Sequence, residues 1–586
     1  MDEAQLQEAL ALARRLALAN ALEHGGTAAT KAVLAKLLGA APELRPAAKE
    51  LGPRIAAIVD EVNALPKDAL ETALAQLGGA PQGEGPPRTA RRATTSVGAP
   101  AGGPTLPPLE GDTSAVVMRL APGPSGPLHL GHSRMAILND AYCKATKGTL
   151  LLRLEDTDPD RVMLEAFEWI AQDLQWLGVT IHTTVVQSDR FDLYYAHARR
   201  LLEVGAAYVS TAPEEVWRDA KLHNRPLPER HEAPHAQLER FDKMLGGAYH
   251  DGEAVLVIKT DLADPNPALR DWAAMRISTS PHPRTKDRYL VYPLMNLAVA
   301  LDDHLLGLTH VLRGKDHLNN TYRQRWVFDA LGWSVPHYIH YGRVRIDGPE
   351  LSTSTMAAGI ADGTYSGWDD VRLGTLRAME ARGIEPAALR RYWVEAGVNE
   401  VDVVLSWPTL YAFNKELIDD RSDRFCFTPD PRTVRIEGVE GPLERSSPLH
   451  PSHPERGERR STLHPHGGVV EVLIAGADWD PLPNGALVRL KDMCNLTKVD
   501  GTTATFAGVP MPTGGRRPQI LQWVEPIGAL PLQVRRPEGP VDAGMVEAAA
   551  GAAAGGVVQL ERYGFVRLQP TSAERPTQLH GAFAHR

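Results

Sequence analysis

Residues 119–132 read RLAPGPSGPLHLGH, and the fold turns on what this stretch joins. Ahead of the turn, AVVMRL (115–120) is apolar and β-branched, as a strand requires. Beyond it, HSRMAILNDAYCKA (132–145) carries helical spacing, and TLLLRL (149–154) predicts a second strand. Strand, turn, helix and strand make a βαβ unit, the opening of a parallel sheet. Open parallel sheets bind ligands at their strand C-termini, with phosphate near the helix N-terminus. Gly and Pro restrict this turn, Gly131 permits close approach, and His129 and His132 stand three residues apart where the helix begins. Two imidazoles so placed can donate hydrogen bonds to phosphate oxygens as negative charge develops. The same residues also fit a capping turn with exposed histidines, or half of a metal site, although no second ligand pair follows at suitable spacing. The short motif alone does not choose among them.

At 586 residues the chain exceeds one core, and roughly three to five domains are expected. Its 43% hydrophobic and 23% charged residues place it among globular rather than disordered chains. The longest apolar run, YLVYPLMNLAVAL, is stopped by Asp302 and Asp303, too soon for a membrane span. The start, MDEAQLQEAL, is acidic and helix-like, with neither the basic residues nor the apolar segment of a signal peptide. Cys143, Cys426 and Cys494 are too dispersed for a disulfide framework or a zinc site. A cytoplasmic protein is the economical expectation. A net charge of −9 argues against indiscriminate nucleic-acid binding, but not against a local basic surface.

Outward from the turn, the chain divides by pattern. Residues 1–78 carry helix-period leucines and alanines, and 79–113 form a Pro/Gly-rich linker that cannot bury enough apolar surface to order itself. The α/β region occupies 114–189 and resumes at 292–364, around a polar, mixed insertion at 190–291. From 292, YPLMNLAVALDDHLLGLTHVLRG predicts a helix and then a buried strand. Residues 365–423 look helical, and the short strands with turns over 424–586 suggest β-barrels. Within that last region, 441–468 and 537–556 are low in complexity and are expected to be loops. No internal repeat is found.

The longer pattern is more specific. RLAPGPSGPLHLGHSRMAILND, followed by LLLRLEDTDP and DDHLLGLTHVLRGKDH, resembles class I glutamyl-tRNA synthetases, particularly the archaeal type. HLGH matches their HIGH signature, and FCFTPDP, NKELIDDRSDR and VVQLERYGFVRL resemble the C-terminal region of that group and its glutaminyl relatives. The likeness runs from about 115 to the C-terminus and is weakest at 441–468 and 537–556. It implies a Rossmann-like catalytic domain with an inserted acceptor-end-binding domain at 190–291, a helical domain, and anticodon-binding β-barrels at 424–586.

The resemblance also assigns residues. Arg119 and Arg313 match two substrate arginines, and a guanidinium fork suits a carboxylate. Ser125 matches a substrate-contacting serine, and Glu155 could hold the substrate ammonium. Tyr292 and Asn296 match positions lining the glutamate pocket, and four residues apart they would share one helix face. Archaeal members more often carry Tyr-Asp-Phe where this chain has Met295-Asn296-Leu297, so Asn296 resembles the bacterial form. Outside the resemblance, Arg119 reads equally as a strand-end surface residue, Ser125 as a turn residue, and Tyr292 and Asn296 as core or surface. Asp156 and Asp158 suggest a metal, but Asp158 precedes Pro159 and is better explained as a helix cap. Glutaminyl enzymes typically carry PNG, DDTN and a cysteine where this chain has PSG, EDTD and Arg313, which favours glutamate.

The implied reaction is ATP-dependent activation of L-glutamate to glutamyl-adenylate, then transfer to tRNA(Glu). Whether tRNA(Gln) is also charged depends on which anticodon base is accepted. Mg²⁺ is expected on the ATP phosphates, with no protein metal site. His129, Gly131 and His132 would meet ATP, and Arg421, Arg424, Lys491, Lys498, Arg516, Arg517, Arg535 and Arg536 offer cations toward tRNA. GPELSTSTM (348–356) falls where the family has its mobile KMSKS loop, with Thr353 and Thr355 at lysine positions. Ser352, Ser354 and backbone amides would then be its phosphate donors, and Lys315 is a candidate replacement cation. Two other classes stand beside the enzyme. One is a weakly active or non-catalytic tRNA-binding paralogue whose N-terminal helices bind another protein. The other is a small-molecule nucleotidyltransferase, which would not need the long β-rich C-terminal region. Intact Arg119, His129, His132, Glu155 and Arg313 favour catalysis, since a lost site is free to drift.

Overall fold

The computed structural model describes residues 3–23, 27–30, 33–34, 37, 48–66, 69–70, 73, 106–513, 517–569 and 577–586. Most of the expected linker 79–113, and Arg516, lie outside these residues. The chain forms two compact units, residues 1–101 and 102–586. In the first, helices Glu3–Glu23 and Ala48–Asn63 bury Ala13, Ala17 and Ala21 with Leu51, Ile55 and Val59. Asn63 ties the Ala28 backbone on both sides, accepting from its N–H at 2.7 Å and donating to its carbonyl at 3.1 Å.

The second unit opens with three parallel strands, β1 (Val117–Leu120), β2 (Thr149–Leu154) and β3 (Thr183–Val186). Helix Leu130–Thr146 makes the crossover from β1 to β2. It ends on Lys147 in the left-handed region, and Gly148 follows where a Cβ would meet the Val116 carbonyl at 2.7 Å. Four antiparallel strands come next in order: β4 (Ala207–Ser210), β5 (Val255–Ile258), β6 (Trp272–Ile277) and β7 (Val291–Pro293). They share a core of Phe191, Tyr194, Phe241, Leu256, Met275 and Tyr292 with flanking helices. Tyr292, expected on a helix, is the centre of β7. The residue before a proline is pushed out of helical conformation, and the helix starts only at Met295. Tyr292 and Asn296 therefore do not share a helix face.

After helix Met295–Leu305 the chain returns as β8 (His310–Gly314) and β9 (His337–Tyr341), again parallel. Thr309 joins β8 to β1, its N–H donating to the Val117 carbonyl at 3.0 Å and its hydroxyl accepting from the Val117 N–H at 2.9 Å. The spatial order is thus β3-β2-β1-β8-β9, with connections leaving β1 and β8 on opposite sides. Such a reversal opens a crevice beyond the strand C-termini.

Helices Leu376–Arg382, Pro386–Ala396 and Trp407–Ile418 lead into a sheet-rich C-terminal region. One seven-stranded sheet has Arg424–Phe425 at one edge and Phe427–Pro429 at the other, and a second has edges Gln519–Leu521 and Trp523–Val524. In each, the two edges are one residue apart in the chain, so each sheet must curl nearly into a barrel. The seams touch each other: the Cys426 thiol donates to the Gln522 side-chain amide oxygen at 2.8 Å.

The expectation of loops at 441–468 and 537–556 is corrected. Leu443–Pro448 and Glu458–Leu463 form an antiparallel hairpin, while Val541–Val546 is a sheet strand followed by a short 3₁₀ turn. Their period was hidden because the hairpin's inward residues include Arg445, Ser447 and Arg459, all buried. Glu547 pairs with both arginines, at 2.6 Å from Arg459, and Arg459 also reaches Glu561 at 2.6 Å. An apolar alternation cannot report a charged interior.

Candidate active site

The turn after β1 is drawn onto β2 by the Glu155 N–H, which donates to the Pro122 carbonyl at 3.0 Å. His129 is the N-cap of helix Leu130–Thr146, its Nδ1 accepting from the Gly131 N–H at 3.1 Å. His132 reaches back, its Nδ1 accepting from the His129 N–H at 3.3 Å, which completes a capping box. The two rings stack with centroids 3.8 Å apart. Because each Nδ1 is an acceptor, each proton sits on Nε2, so both rings keep one N–H donor. Burial pushes His129 down to about 4, and burial with the neighbouring ring pushes His132 down to about 3. The pair is therefore neutral at physiological pH. The capping alternative and the phosphate-donor reading are compatible, since capping consumes only Nδ1.

Beside the histidines, segment 373–376 pins the turn. The Leu130 N–H donates to Gly374 and the Leu376 N–H to Leu128, both at 2.9 Å, while the Gly374 N–H donates to Glu350 at 2.9 Å. The ELSTST stretch thereby reaches the turn. A Cβ on Gly126 would lie 2.6 Å from the Thr353 methyl, so a side chain there would displace Thr353. Ser352 caps a helix, Thr353–Ala361, and its hydroxyl is 3.1 Å from that of Ser354. The Leu351 and Ser352 amides, expected as phosphate donors, are taken here by the Glu350 carboxylate at 2.9 and 2.7 Å. Lys315 points elsewhere, pairing with Asp402 at 2.8 Å.

The ends of β1, β2 and β8 bring Arg119, Glu155 and Arg313 into one buried cluster with two residues that sequence reasoning missed, Arg153 and Asp303. Asp303 receives Arg153 at 2.7 Å and stands 3.6 Å from Arg119, and Arg153 also reaches Glu155 at 3.0 Å. Burial raises Glu155, against the pull of Arg153 and Arg119. Arg313 is held by Gln324 at 3.0 Å, by the Thr321 hydroxyl, and by the Tyr338 ring 4.5 Å away. Burial, reinforced by Arg119, brings Arg313 down to about 10. Three guanidiniums face two carboxylates, which leaves the cluster one positive charge in excess. Buried nitrogens and oxygens without a hydrogen-bond partner among the described residues include Arg119 Nε, Arg313 Nε, Asp303 Oδ2 and the Tyr338 hydroxyl. The two arginine nitrogens and the Tyr338 hydroxyl are unfilled donors beside an excess positive charge, as an anionic ligand requires, whereas Asp303 Oδ2 is an unfilled acceptor.

Other expected residues are placed less directly. Asn296 enters through Gln324, whose amide donates to it at 3.2 Å. Ser125 has no side-chain bond among the described residues, and its backbone closes the turn onto Gly123 at 2.9 Å. Tyr292 packs in the β4–β7 core beside Phe191 and His282, its hydroxyl without a partner among the described residues. Asp158 makes no cap bond and instead pairs with Arg276 at 3.1 Å, although Pro159 does begin a 3₁₀ turn. Among the described residues, no group of three or more His, Cys, Asp and Glu stands where it could hold a metal ion. Of the distal cations, Lys498 is buried and donates to the Trp479 and Leu482 carbonyls, while Arg421, Arg424, Lys491 and Arg536 are ion-paired. Arg517 and Arg535 are exposed.

A reversed parallel sheet that carries neutral imidazole donors, a helix N-terminus and a buried cationic cluster at its strand ends is the architecture of a class I aminoacyl-tRNA synthetase. Family models described as tRNA synthetases class I (E and Q), catalytic domain and anti-codon binding domain, match residues 115–420 and 422–507. A glutamate–tRNA ligase of Thermoplasma volcanium is 44% identical over 94% of this chain and 96% of its own. One from Methanopyrus kandleri is 43% identical over 98% of both chains. The chain belongs to the class I tRNA synthetases for glutamate and glutamine (E and Q).

Proposed function

We propose that this protein is a glutamate–tRNA ligase that activates L-glutamate with ATP and transfers it to tRNA(Glu). The relatives' shared activity supports this, and the observation that carries the choice of amino acid is the excess positive charge around buried Arg313. A glutamine carboxamide would leave that guanidinium without an anion, a cost on the order of several kcal/mol at a buried charge.

The glutamate α-carboxylate attacks the ATP α-phosphorus, releasing pyrophosphate, and a terminal ribose hydroxyl of the tRNA then takes the acyl group from the adenylate. The carboxylate is already nucleophilic, so the protein aligns it and stabilises charge developing on phosphate. Arg119 and Arg313 bind the substrate carboxylates, and Glu155 takes the ammonium. His129 and His132 donate from Nε2 to phosphate oxygens, with Gly131 allowing close approach. Ser352 and Ser354 supply hydroxyls to the same phosphates. Tyr292, Asn296 and Ser125 are assigned to the pocket wall. ATP enters as its Mg²⁺ complex, the ion accompanying the substrate's own phosphates. The β4–β7 region takes the acceptor end and the sheet-rich region the anticodon, with exposed Arg517 and Arg535 available for phosphate. Charging of tRNA(Gln) as well is part of the proposal to be tested, as is a protein partner for the N-terminal helices.

The deciding experiment is ATP–pyrophosphate exchange with glutamate or glutamine, with and without tRNA, together with charging of tRNA(Glu) and tRNA(Gln). Glutamate-dependent exchange and charging are expected. Their absence under every condition would leave a tRNA-binding paralogue as the reading.

A further inference from the structure

We infer that Gln324 is a positioning residue that fixes the Arg313 guanidinium without supplying a counter-charge, so that its charge is left for an anionic side chain on the substrate. The inference rests on the proposed role of Arg313 as a partner of the substrate's side-chain carboxylate.

The three guanidiniums of the cluster have different surroundings. Arg153 lies on Asp303 and Glu155, and Arg119 has Asp303 at 3.6 Å. Arg313 makes no ion pair among the described residues, and its bonded partners are an amide oxygen, a hydroxyl and an aromatic face. Gln324, fully buried, sits on the inward face of helix Leu318–Leu331 with Thr321, Val327 and Phe328. Arginine can only donate, so its 3.0 Å bond forces the Gln324 carbonyl oxygen toward Arg313 and turns the amide nitrogen away.

That orientation propagates. The Gln324 nitrogen donates to Asn296 Oδ1 at 3.2 Å, the Asn296 nitrogen to Asn320 Oδ1 at 3.3 Å, and the Asn320 nitrogen to His317 Nδ1 at 3.0 Å. Each amide is aligned by the one before it, and a directional chain of this kind polarises its members. Gln324 thus fixes the guanidinium without neutralising it and sets which end of Asn296 faces inward. A glutamate at this position would have nearly the same shape, but its carboxylate would neutralise Arg313 and could not donate to Asn296.

The test uses the full-length protein in tRNA-charging assays with glutamate and with glutamine. Gln324→Glu is expected to raise the glutamate KM by about tenfold or more, leave the ATP KM unchanged, and lower the glutamate-over-glutamine preference in kcat/KM by about a hundredfold. Gln324→Met, which removes both hydrogen bonds without adding charge, is expected to raise the glutamate KM by about fivefold while keeping the preference within a few-fold of wild type. A Glu variant with the wild-type preference overturns the inference, as does a parallel rise in ATP KM, which marks general distortion of the site. If the Glu variant fails to fold by near-UV circular dichroism, the Met variant decides, and an unchanged glutamate KM overturns the inference. Wild-type protein without glutamate-dependent charging fails the proposed function instead, before any variant is compared.

Discussion

The Glu350 carboxylate occupies the Leu351 and Ser352 amides, at 2.9 and 2.7 Å, where a phosphate-binding loop needs its donors open. For ATP to use them the carboxylate must leave, and two charge-assisted bonds must break. Glu350 is half-buried and Ser352 exposed, so water replaces much of what is lost. The net cost is then about 1–2 kcal/mol, or about 5- to 30-fold in the KM for ATP. Glu350→Ala removes the competitor and is expected to lower the ATP KM by about this factor, without changing the glutamate KM. Glu350→Gln keeps a neutral acceptor and should give a smaller fall. Initial-rate charging assays at saturating glutamate and tRNA, titrated with ATP, read both values. An unchanged or raised ATP KM in a folded Glu350→Ala protein would refute the reasoning, because the carboxylate would then be ordering the loop for ATP rather than competing with it.

Thr353→Lys places a cation where the resemblance implies a lysine, and is expected to leave the charging rate unchanged or raise it; abolition in a folded protein would show that the loop works otherwise. His129 and His132 titrate at about 4 and about 3 when folded, against 6.5 when exposed. The unfolded chain therefore takes up protons first as the pH falls. Their contribution to stability is complete above about pH 6.5 and is lost progressively toward pH 4 and below. Melting temperatures across that range should fall less steeply for His129→Asn, which retains a capping side chain, and an identical profile would contradict the titration. Glu547→Gln strips the shared counter-ion from buried Arg445 and Arg459 and should destabilise the sheet-rich region by about 3–5 kcal/mol, seen as a lowered thermal transition.

Much of the α/β region was legible because its signals are local. Apolar strands, a Gly/Pro turn and a helix start follow one another within 36 residues, 119–154, and short-range sterics determine their order. Arg153 gave a local sign too, a charge inside the otherwise apolar TLLLRL, and so did Asp302 and Asp303 inside an apolar helix. Asp302 and Asp303 argue against a membrane span, and a charge in an apolar run, Arg153 included, also announces a buried partner. Tyr292 lies off the expected helix because Pro293 holds the residue before it in extended conformation.

The pairing of His129 with His132 follows from helix capping and is inherent in the order of residues. Which guanidinium keeps a free charge is not. That depends on Asp303 arriving from 150 residues beyond Arg153, and on Gln324 rather than a carboxylate meeting Arg313. The hairpin at 443–463 is the plainest case: its interior arginines look like solvated surface until Glu547, about a hundred residues later, folds onto them. Pattern reveals where apolar area must be buried, because water's rejection of it depends on composition and period. Charge compensation depends on distance in space, and no local period records it.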